Sequence, residues 1–160
     1  MNKEVFSRTK RSIDYWETPY YFFNLLDKEF HFTLDPCATP FNTKCRKYFT
    51  EEQNGLVQDW KEERVFVNPP FSDIKSWVRK CYQEGQKFNT LVVMILPSRT
   101  DTQYWHDYIM KSHEIWFAKG RVNFLKDGKK TQNGSTFPLA IITFKKTTNE
   151  NPRIKSFYHK

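Results

Sequence analysis

A rigid polar corner, Asn68-Pro69-Pro70-Phe71, follows the apolar run 65–67 (Val-Phe-Val). β-branched and aromatic residues favour a buried strand, and the two prolines stop it because each has a fixed φ angle and no N–H group. The corner leaves two acceptors, the Asn68 side-chain oxygen and the Pro69 carbonyl, at the carboxyl end of a strand. An exocyclic amine on a flat base could donate one hydrogen to each acceptor while its ring stacked on Phe71. Such a grip would aim the nitrogen lone pair at an electrophile, which is what methylation of a weakly basic amino group requires.

The length and charge of the chain indicate one domain with a polyanionic partner. At 160 residues the chain is long enough to bury about two thirds of its unfolded surface in a single core. The net charge of +8 lies entirely in residues 111–160, which carry 11 basic and 3 acidic side chains. A basic segment on an otherwise neutral chain favours nucleic acid as a partner, because each phosphate that it neutralises releases counterions. A solvated basic tail is the alternative interpretation.

The cysteines and the lack of long apolar runs indicate a cytoplasmic protein. Cys37, Cys45 and Cys81 are odd in number and form no C-x-x-C pair, so we expect neither a disulfide framework nor a metal site. A reducing cytosol suits such a set of thiols. Residues 1–10 contain no apolar segment typical of a secretion signal, and no run approaches 18 apolar residues. We therefore expect a soluble protein that is neither secreted nor embedded in a membrane.

The first half of the chain predicts a helix and a carboxylate at the end of a strand. Thr18 as the N-cap and Pro19 as the first helical residue indicate a helix over about 19–29. Asp35 ends a short predicted strand over 32–34, and the carboxyl ends of strands in an open α/β sheet border the ligand-binding crevice. There the carboxylate could accept hydrogen bonds from the ribose or the ammonium of a cofactor. Asp-Pro is also a common turn, which is the simpler interpretation of this motif.

The second half of the chain predicts alternating helices and strands. Only 33 positions separate Asp35 from Asn68, about one βαβ crossover, so any cofactor-binding half of the sheet would be abridged. Ser72 can cap a helix whose apolar residues recur at helical spacing as far as Tyr82. The other predicted segments are a short strand at 47–50, a buried strand over 90–96, a helix from 101 or 102 to about 112, a strand over 114–125 broken at Gly120, an exposed hairpin tip over 126–134, a return strand over 137–144 and a frayed polar segment over 145–160.

Several short blocks, taken in order, carry a family resemblance. They are 14–19 (Asp-Tyr-Trp-Glu-Thr-Pro), 34–38 (Leu-Asp-Pro-Cys-Ala), 47–52 (Lys-Tyr-Phe-Thr-Glu-Glu), 54–56 (Asn-Gly-Leu), 65–71 (Val-Phe-Val-Asn-Pro-Pro-Phe), 96–102 (Leu-Pro-Ser-Arg-Thr-Asp-Thr) and 105–106 (Trp-His). In this order they resemble the phage-type DNA N6-adenine methyltransferase (Dam) family over about residues 14–145. Ordered blocks are more specific than a lone Asn-Pro-Pro, which also occurs by chance.

The resemblance implies an α/β fold, namely a compact, abridged Rossmann-like class I methyltransferase sheet with a C-terminal antiparallel hairpin. The methyltransferase domain would span 14–145, between a flexible basic arm (1–13) and a polar tail (146–160). The implied cofactor is S-adenosylmethionine, with no metal. Its implied contacts are Glu17, Thr18, Asp35, Pro36, Cys37 and Asp59, with either Glu51 or Glu52 at the ribose hydroxyls.

The resemblance also assigns catalysis to the corner residues Asn68, Pro69, Pro70 and Phe71. They would hold the N6 amine of a flipped adenine, with Phe71 stacked on its ring. In-line attack on a sulfonium needs alignment and a dry pocket, and no general base is required to start it. Two features depart from related enzymes: the Gly-rich loop of larger methyltransferases is missing after Asp35, and Phe71 replaces the commoner Tyr. Phenylalanine at this position also occurs in enzymes that modify RNA.

The implied substrate is duplex DNA, in the cytoplasm of a bacterium or of a phage-infected host. No separate recognition domain fits in this length, so we assign nucleic-acid contacts to Arg99, Arg121, Lys129 and Lys130. For the two arginines, a surface ion pair is an equal alternative. The wider alternatives are the same chemistry on RNA adenine or on a protein glutamine, and a catalytically silent nucleic-acid-binding protein that keeps the fold.

Overall fold

A mixed α/β sheet of seven strands forms the centre of the fold within residues 16–130 and 135–160, the part of the chain that the computed structural model describes. Across the sheet the strands are β2 (Lys47–Tyr48), β1 (Leu34–Asp35), β3 (Arg64–Val67), β4 (Leu91–Pro97), β8 (Leu139–Phe144), β5 (Glu114–Lys119) and β9 (Arg153–Tyr158). Among these strands β8 alone runs antiparallel to its neighbours, so the other six point in one direction. Their carboxyl ends therefore meet at one edge of the sheet, and their amino ends meet at the other.

A small antiparallel hairpin lies apart from the sheet. It consists of β6 (Leu125–Lys126) and β7 (Lys129–Lys130). The expected continuation of β5 beyond Gly120 is wrong, because β5 ends at Lys119 and residues 121–124 form no strand. Val122 and Phe124 are nevertheless buried, which explains why their apolar pattern looked like that of a strand. The rest of the predicted hairpin tip, 131–134, and the predicted basic arm, 1–13, lie outside the described residues.

The main helices are α1 (Tyr20–Phe30), α2 (Ile74–Gly85) and α3 (Gln103–Asp107). The predicted caps of the first two are wrong. Pro19 is the N-cap of α1, and the hydroxyl of Thr18 makes no capping bond. A 3-10 turn, Phe71–Asp73, precedes α2, so the cap position falls on Asp73 rather than on Ser72. Within residues 16–130 and 135–160, no helix has the length and apolar character needed to cross a bilayer.

Helices cover both faces of the sheet. Along β3, Val65 and Val67 join the core cluster of α2, whereas Phe66 joins the cluster of α1. The residues of β4 alternate between the same two clusters. Because both faces are covered, these strands are apolar throughout, as the uninterrupted apolar runs predicted.

The C-terminal segment is a strand, so the prediction that it is frayed is wrong. β9 pairs in parallel with β5 and is the outermost strand on that side of the sheet. Phe157 stacks on Trp116, with ring centroids 5.7 Å apart, and meets the edge of Phe22 at the same distance. His159 is also buried. Most other side chains of β9 are exposed, which is why the segment reads as polar in the sequence.

Replacing Phe157 with alanine is expected to destabilise the fold by about 2 kcal/mol, less than the 3–5 kcal/mol typical of a fully buried phenylalanine, because Phe157 is only half-buried. The matched control is Ile154→Ala, since Ile154 lies on the same strand with an exposed side chain. We expect the control to change the free energy of unfolding by less than about 0.5 kcal/mol. Urea denaturation of both variants measures the difference, and equal effects would mean that β9 does not contribute to the core.

Candidate active site

The parallel strands β1 and β3 bring Asp35 and Asn68 to the same edge of the sheet. Leu34 pairs with Val65, so the two strands end side by side. A cavity of about 720 Å³ opens at this edge and is lined by both Asp35 and Asn68. We call it the carboxyl-edge cavity. Its volume lies within the range of about 300–1,000 Å³ found for small-molecule sites.

Hydrogen bonds hold the corner at Asn68 in one orientation. The Nδ2 group of Asn68 donates to the carbonyl of Trp16 at 2.6 Å. A carbonyl can only accept, so this bond defines which amide atom is the nitrogen and puts Oδ1 on the other side of the side chain. The Sγ of Cys37 donates to the backbone carbonyl of Asn68 at 3.1 Å. The corner is therefore fixed from two segments that are distant in sequence.

Asp35 closes the loop that borders the cavity. Its Oδ1 accepts from the backbone N–H of Cys37 at 3.4 Å, and its Oδ2 accepts from the N–H of Lys44 at 3.1 Å. Burial raises the pKa of the Asp35 carboxyl to about 6, while these two N–H groups and the Lys44 cation limit the rise. The carboxylate is thus held at the base of a loop whose two ends both bind it.

The loop over 37–44 carries residues that the sequence analysis missed. Thr39 bonds the N–H groups of residues 41, 42 and 43, so the tip of the loop is ordered by its own contacts. At this tip Phe41 lines the cavity with 97% of its surface exposed. The Lys44 ammonium lies 4.0 Å from the centre of the Tyr20 ring. The sequence did contain a signal for Phe41. An aromatic residue between the turn-forming residues Pro40 and Asn42 is not needed for the turn itself, which favours a role in binding.

Close backbone packing forms another wall of the cavity. A Cβ on Gly55 would lie 2.1 Å from the carbonyl oxygen of Pro36, so only glycine allows these two segments to approach. Asn54 precedes it with a φ of 52°, in the left-handed region that asparagine tolerates. Glu51 and Glu52, the two predicted ribose contacts, both line the cavity with exposed side chains.

The N-terminal segment over 16–18 is tied to the hairpin. Glu17 and Leu125 exchange backbone hydrogen bonds of 2.8 and 2.9 Å. Glu17 and Thr18 line the cavity, and the buried hydroxyl of Thr18 has no hydrogen-bond partner within the described part of the chain. An orphaned polar atom in a cavity wall is costly unless a ligand or water pairs with it.

The lining of the cavity is acidic. Among its described residues, one side chain is a lysine, Lys44, and five are carboxylates: Glu17, Asp35, Glu51, Glu52 and Asp73. This balance favours a ligand that carries positive charge. No three His, Cys, Asp or Glu side chains are placed to hold a metal ion in residues 16–130 and 135–160.

The other predicted site residues lie in several places. Pro36, Cys37 and Pro70 line the cavity, whereas Pro69 is buried and is not part of the lining. Phe71 is half-buried, meets Phe137 edge-on at 5.4 Å and is not part of the lining. Asp59 is exposed, pairs with Lys87 at 2.7 Å and lies outside the cavity. The cofactor contact predicted for Asp59 therefore gains no support from its position.

The predicted nucleic-acid contacts are all exposed near the carboxyl edge. Arg99 follows the end of β4, and Arg121 follows the end of β5 and donates to the Ser135 carbonyl at 3.0 Å. Lys129 and Lys130 form β7, in the hairpin that Leu125 ties to the cavity rim.

A mainly parallel sheet with an acidic cavity and a diproline corner at its carboxyl edge defines an α/β protein with a candidate ligand site where such sheets bind their ligands. The chain belongs to the DNA N-6-adenine-methyltransferase (Dam) family, whose model matches residues 7–160. It is 31% identical over 144 residues to a DNA N-6-adenine-methyltransferase of Haemophilus phage HP1 (strain HP1c1), covering 86% of this chain and 83% of that protein. It is 29% identical over 104 residues to a DNA N-6-adenine-methyltransferase of Escherichia phage T1, covering 64% and 43%. The family resemblance inferred from the sequence blocks is thereby confirmed.

We expect Asp35 to titrate near pH 6 in the folded protein, because burial disfavours its charged form. Its folded pKa lies above the ordinary aspartate value of 3.8, so the native state binds this proton more tightly than the unfolded chain does. The contribution of Asp35 to the free energy of unfolding is therefore full below about pH 4 and falls as the pH rises towards 6.

Carbon-13 NMR of the Asp35 carboxyl measures this titration. The amide signals of Cys37 and Lys44 should shift with the same midpoint, since both N–H groups bond the carboxylate. The shifts should vanish in Asp35→Asn. A midpoint near the ordinary aspartate pKa would contradict the dominance of burial over the two N–H groups and the Lys44 cation.

Proposed function

We propose that this chain transfers a methyl group from S-adenosylmethionine to the N6 amine of adenine in duplex DNA. The observation that carries the proposal is the orientation of Asn68. The Asn68 amide is held by the Trp16 carbonyl, beside an acidic cavity large enough for a small-molecule ligand. The chain that carries this arrangement belongs to the Dam family.

The residues of the carboxyl-edge cavity fit this cofactor. S-adenosylmethionine supplies a methyl carbon bonded to a positively charged sulfur, and its amino acid part carries an ammonium group. The acidic lining suits both positive charges, with Asp35 at the cavity base and Glu51 or Glu52 available to the ribose hydroxyls. The orphaned hydroxyl of Thr18 can bond a polar group of the ligand, which would relieve the cost of its burial.

The corner then presents the target amine. Asn68 Oδ1 and the Pro69 carbonyl would accept the two N6 hydrogens of an adenine that has been flipped out of the duplex. This pairing draws the nitrogen lone pair out of the ring and towards the methyl donor. Because the two prolines limit the backbone, the acceptors keep their positions while the base enters.

Two aromatic residues are available to hold the ring of the flipped base. Phe71 adjoins the corner, and its predicted stacking requires that the ring move from its edge-on contact with Phe137 or that the base enter beside it. Phe41, at the rim, already offers an open face. Once N6 has gained a methyl group it is positively charged and carries two protons. One of these is acidic and can pass to solvent, which leaves the neutral methylated amine, so the chain needs no general base.

The sheet supports a Rossmann-like class I methyltransferase architecture for this function. Six strands share one direction, β8 is inserted antiparallel, and helices cover both faces. The short β1 and β2 agree with an abridged cofactor half. Duplex DNA would lie across the carboxyl edge, where Arg99, Arg121 and the β6–β7 hairpin are exposed.

Asn68→Ala is expected to lower the rate of methyl transfer by about a hundredfold or more, comparable to removing one donor from an oxyanion hole, because only one acceptor for the amine remains. Transfer of labelled methyl from S-adenosylmethionine to duplex DNA measures the rate, and cofactor affinity should change only a few-fold. Asn24→Ala, an exposed asparagine of α1, is the matched control. Full activity in Asn68→Ala would refute the proposed grip. Label in structured RNA but not in DNA would shift the substrate to RNA, and DNA binding with no label in either would indicate a silent binding protein.

Lys129→Ala/Lys130→Ala is expected to weaken DNA binding and to lower the slope of log affinity against log salt by about 2, since each phosphate that is no longer neutralised lowers it by roughly 0.9. Both lysines are exposed, so folding should be unaffected. Cofactor affinity should stay the same. Lys28→Ala/Lys75→Ala removes the same charge from helix surfaces and serves as the control. An unchanged salt slope would remove the hairpin from the DNA interface.

A further inference from the structure

A second cavity, of about 520 Å³, opens at the opposite edge of the sheet, where β3, β4, β5 and β9 begin. Its described lining contains six cationic side chains but only two carboxylates, Glu29 and Glu114. We call it the basic cavity. The cations are Arg64, Lys87, Lys145, Lys146, Arg153 and Lys155. The predicted excess of charge in the last third of the chain is therefore divided between two edges of the sheet.

Glu114 holds part of this lining in place. The buried carboxylate accepts from Trp116 Nε1 at 2.7 Å and pairs with Arg153 at 2.5 Å and with Lys155 at 3.3 Å. Burial alone would raise the pKa of Glu114, but the Trp116 hydrogen bond and the two cations hold it below its usual value. Glu114 thus stays ionised at neutral pH and positions two cations without cancelling the others.

Lys145 and Lys146 are the cations most open to a ligand. Both are exposed at the end of β8, and neither forms an ion pair with any residue in 16–130 or 135–160. Lys87, by contrast, is paired with Asp59 and Glu84.

His113 reports the positive potential of the basic cavity. Its Nε2 lies 2.9 Å from the Arg153 guanidinium, which can only donate, so the ring is neutral. Burial lowers the pKa of His113, and the cations of Lys145, Arg153 and Lys155 lower it further against the opposing charge of Glu114. An anion bound among these cations would reverse that effect.

We propose that the basic cavity binds the phosphate groups of a nucleic acid strand, separately from the candidate active site. Charged side chains dominate the recessed lining, and its large apolar side chains, Phe30, Leu91 and Trp116, are buried or half-buried in the core, so charge rather than apolar contact selects the ligand. The seven residues of β4 separate the two edges by roughly 20 Å, so the strand bound here is a second segment rather than the base-flipping site itself. This binding does not rest on methyl transfer and can be tested without cofactor.

The test is an NMR titration of the full-length protein, labelled with nitrogen-15. The probes are inorganic pyrophosphate and a duplex made only of dG and dC, which has no adenine to flip. With both probes we expect saturable shifts at 113–116, 143–146 and 153–155, and a rise in the pKa of His113. Lys145→Glu/Lys146→Glu should weaken both interactions at least about tenfold, since it reverses two charges. Lys75→Glu/Arg79→Glu, on the exposed face of α2, is the matched control and should leave them unchanged.

The outcomes separate the possible sources of the anion. Shifts with neither probe, or equal binding by both charge-reversal variants, would overturn the proposal. Binding of pyrophosphate without any response to the duplex would show a site for free phosphate and contradict the nucleic acid assignment. Stronger binding of poly-L-glutamate than of pyrophosphate would also overturn it, in favour of an acidic protein partner. Because Lys145 and Lys146 are exposed, thermal melting should confirm that the variant is folded.

Discussion

The candidate active site depends on one buried carboxylate, that of Asp35. It accepts hydrogen bonds from the N–H groups of Cys37 and Lys44. These bonds fix both ends of the loop over 37–44, from which Phe41 and Lys44 line the cavity. Ionising this group in the folded chain costs roughly 3 kcal/mol, because its pKa rises from 3.8 to about 6. Such a cost is tolerated where a charge has a function, and a positively charged ligand in the cavity would offset it.

The corner at Asn68 is also held through the Asp35 loop. Cys37, whose N–H binds Asp35, also donates its thiol to the carbonyl of Asn68, so the two strand ends are joined through one residue. The Trp16 carbonyl completes the support from the N-terminal side. The amide is therefore oriented without a ligand, and little of the binding energy of the proposed base would be needed to order it.

The distribution of charge separates two kinds of binding. Carboxylates outnumber cations in the lining of the carboxyl-edge cavity, whereas cations outnumber carboxylates in the basic cavity and also occupy the β6–β7 hairpin. A polyanion is repelled by the first and attracted by the others. The positive charge of the chain thus does not coat the carboxyl-edge cavity but lies around and behind it; under the proposed function, this arrangement would let a base enter alone while its backbone stays outside.

The local sequence alone determined where strands end and which strands are covered on both faces. The diproline corner had to end β3, the apolar runs had to form covered strands, and Asp35 and Asn68 had to lie at the ends of strands. The strand at β9 and the cap of α2 were not predictable in this way, because pairing with β5 and the 3-10 turn after the prolines outweigh local preference. Only the tertiary structure decided which residues face the cavity. It placed Phe41 and Gly55 there and left Asp59 outside, since those positions depend on contacts between segments far apart in the chain, such as the one between Trp16 and Asn68, which are 52 positions apart.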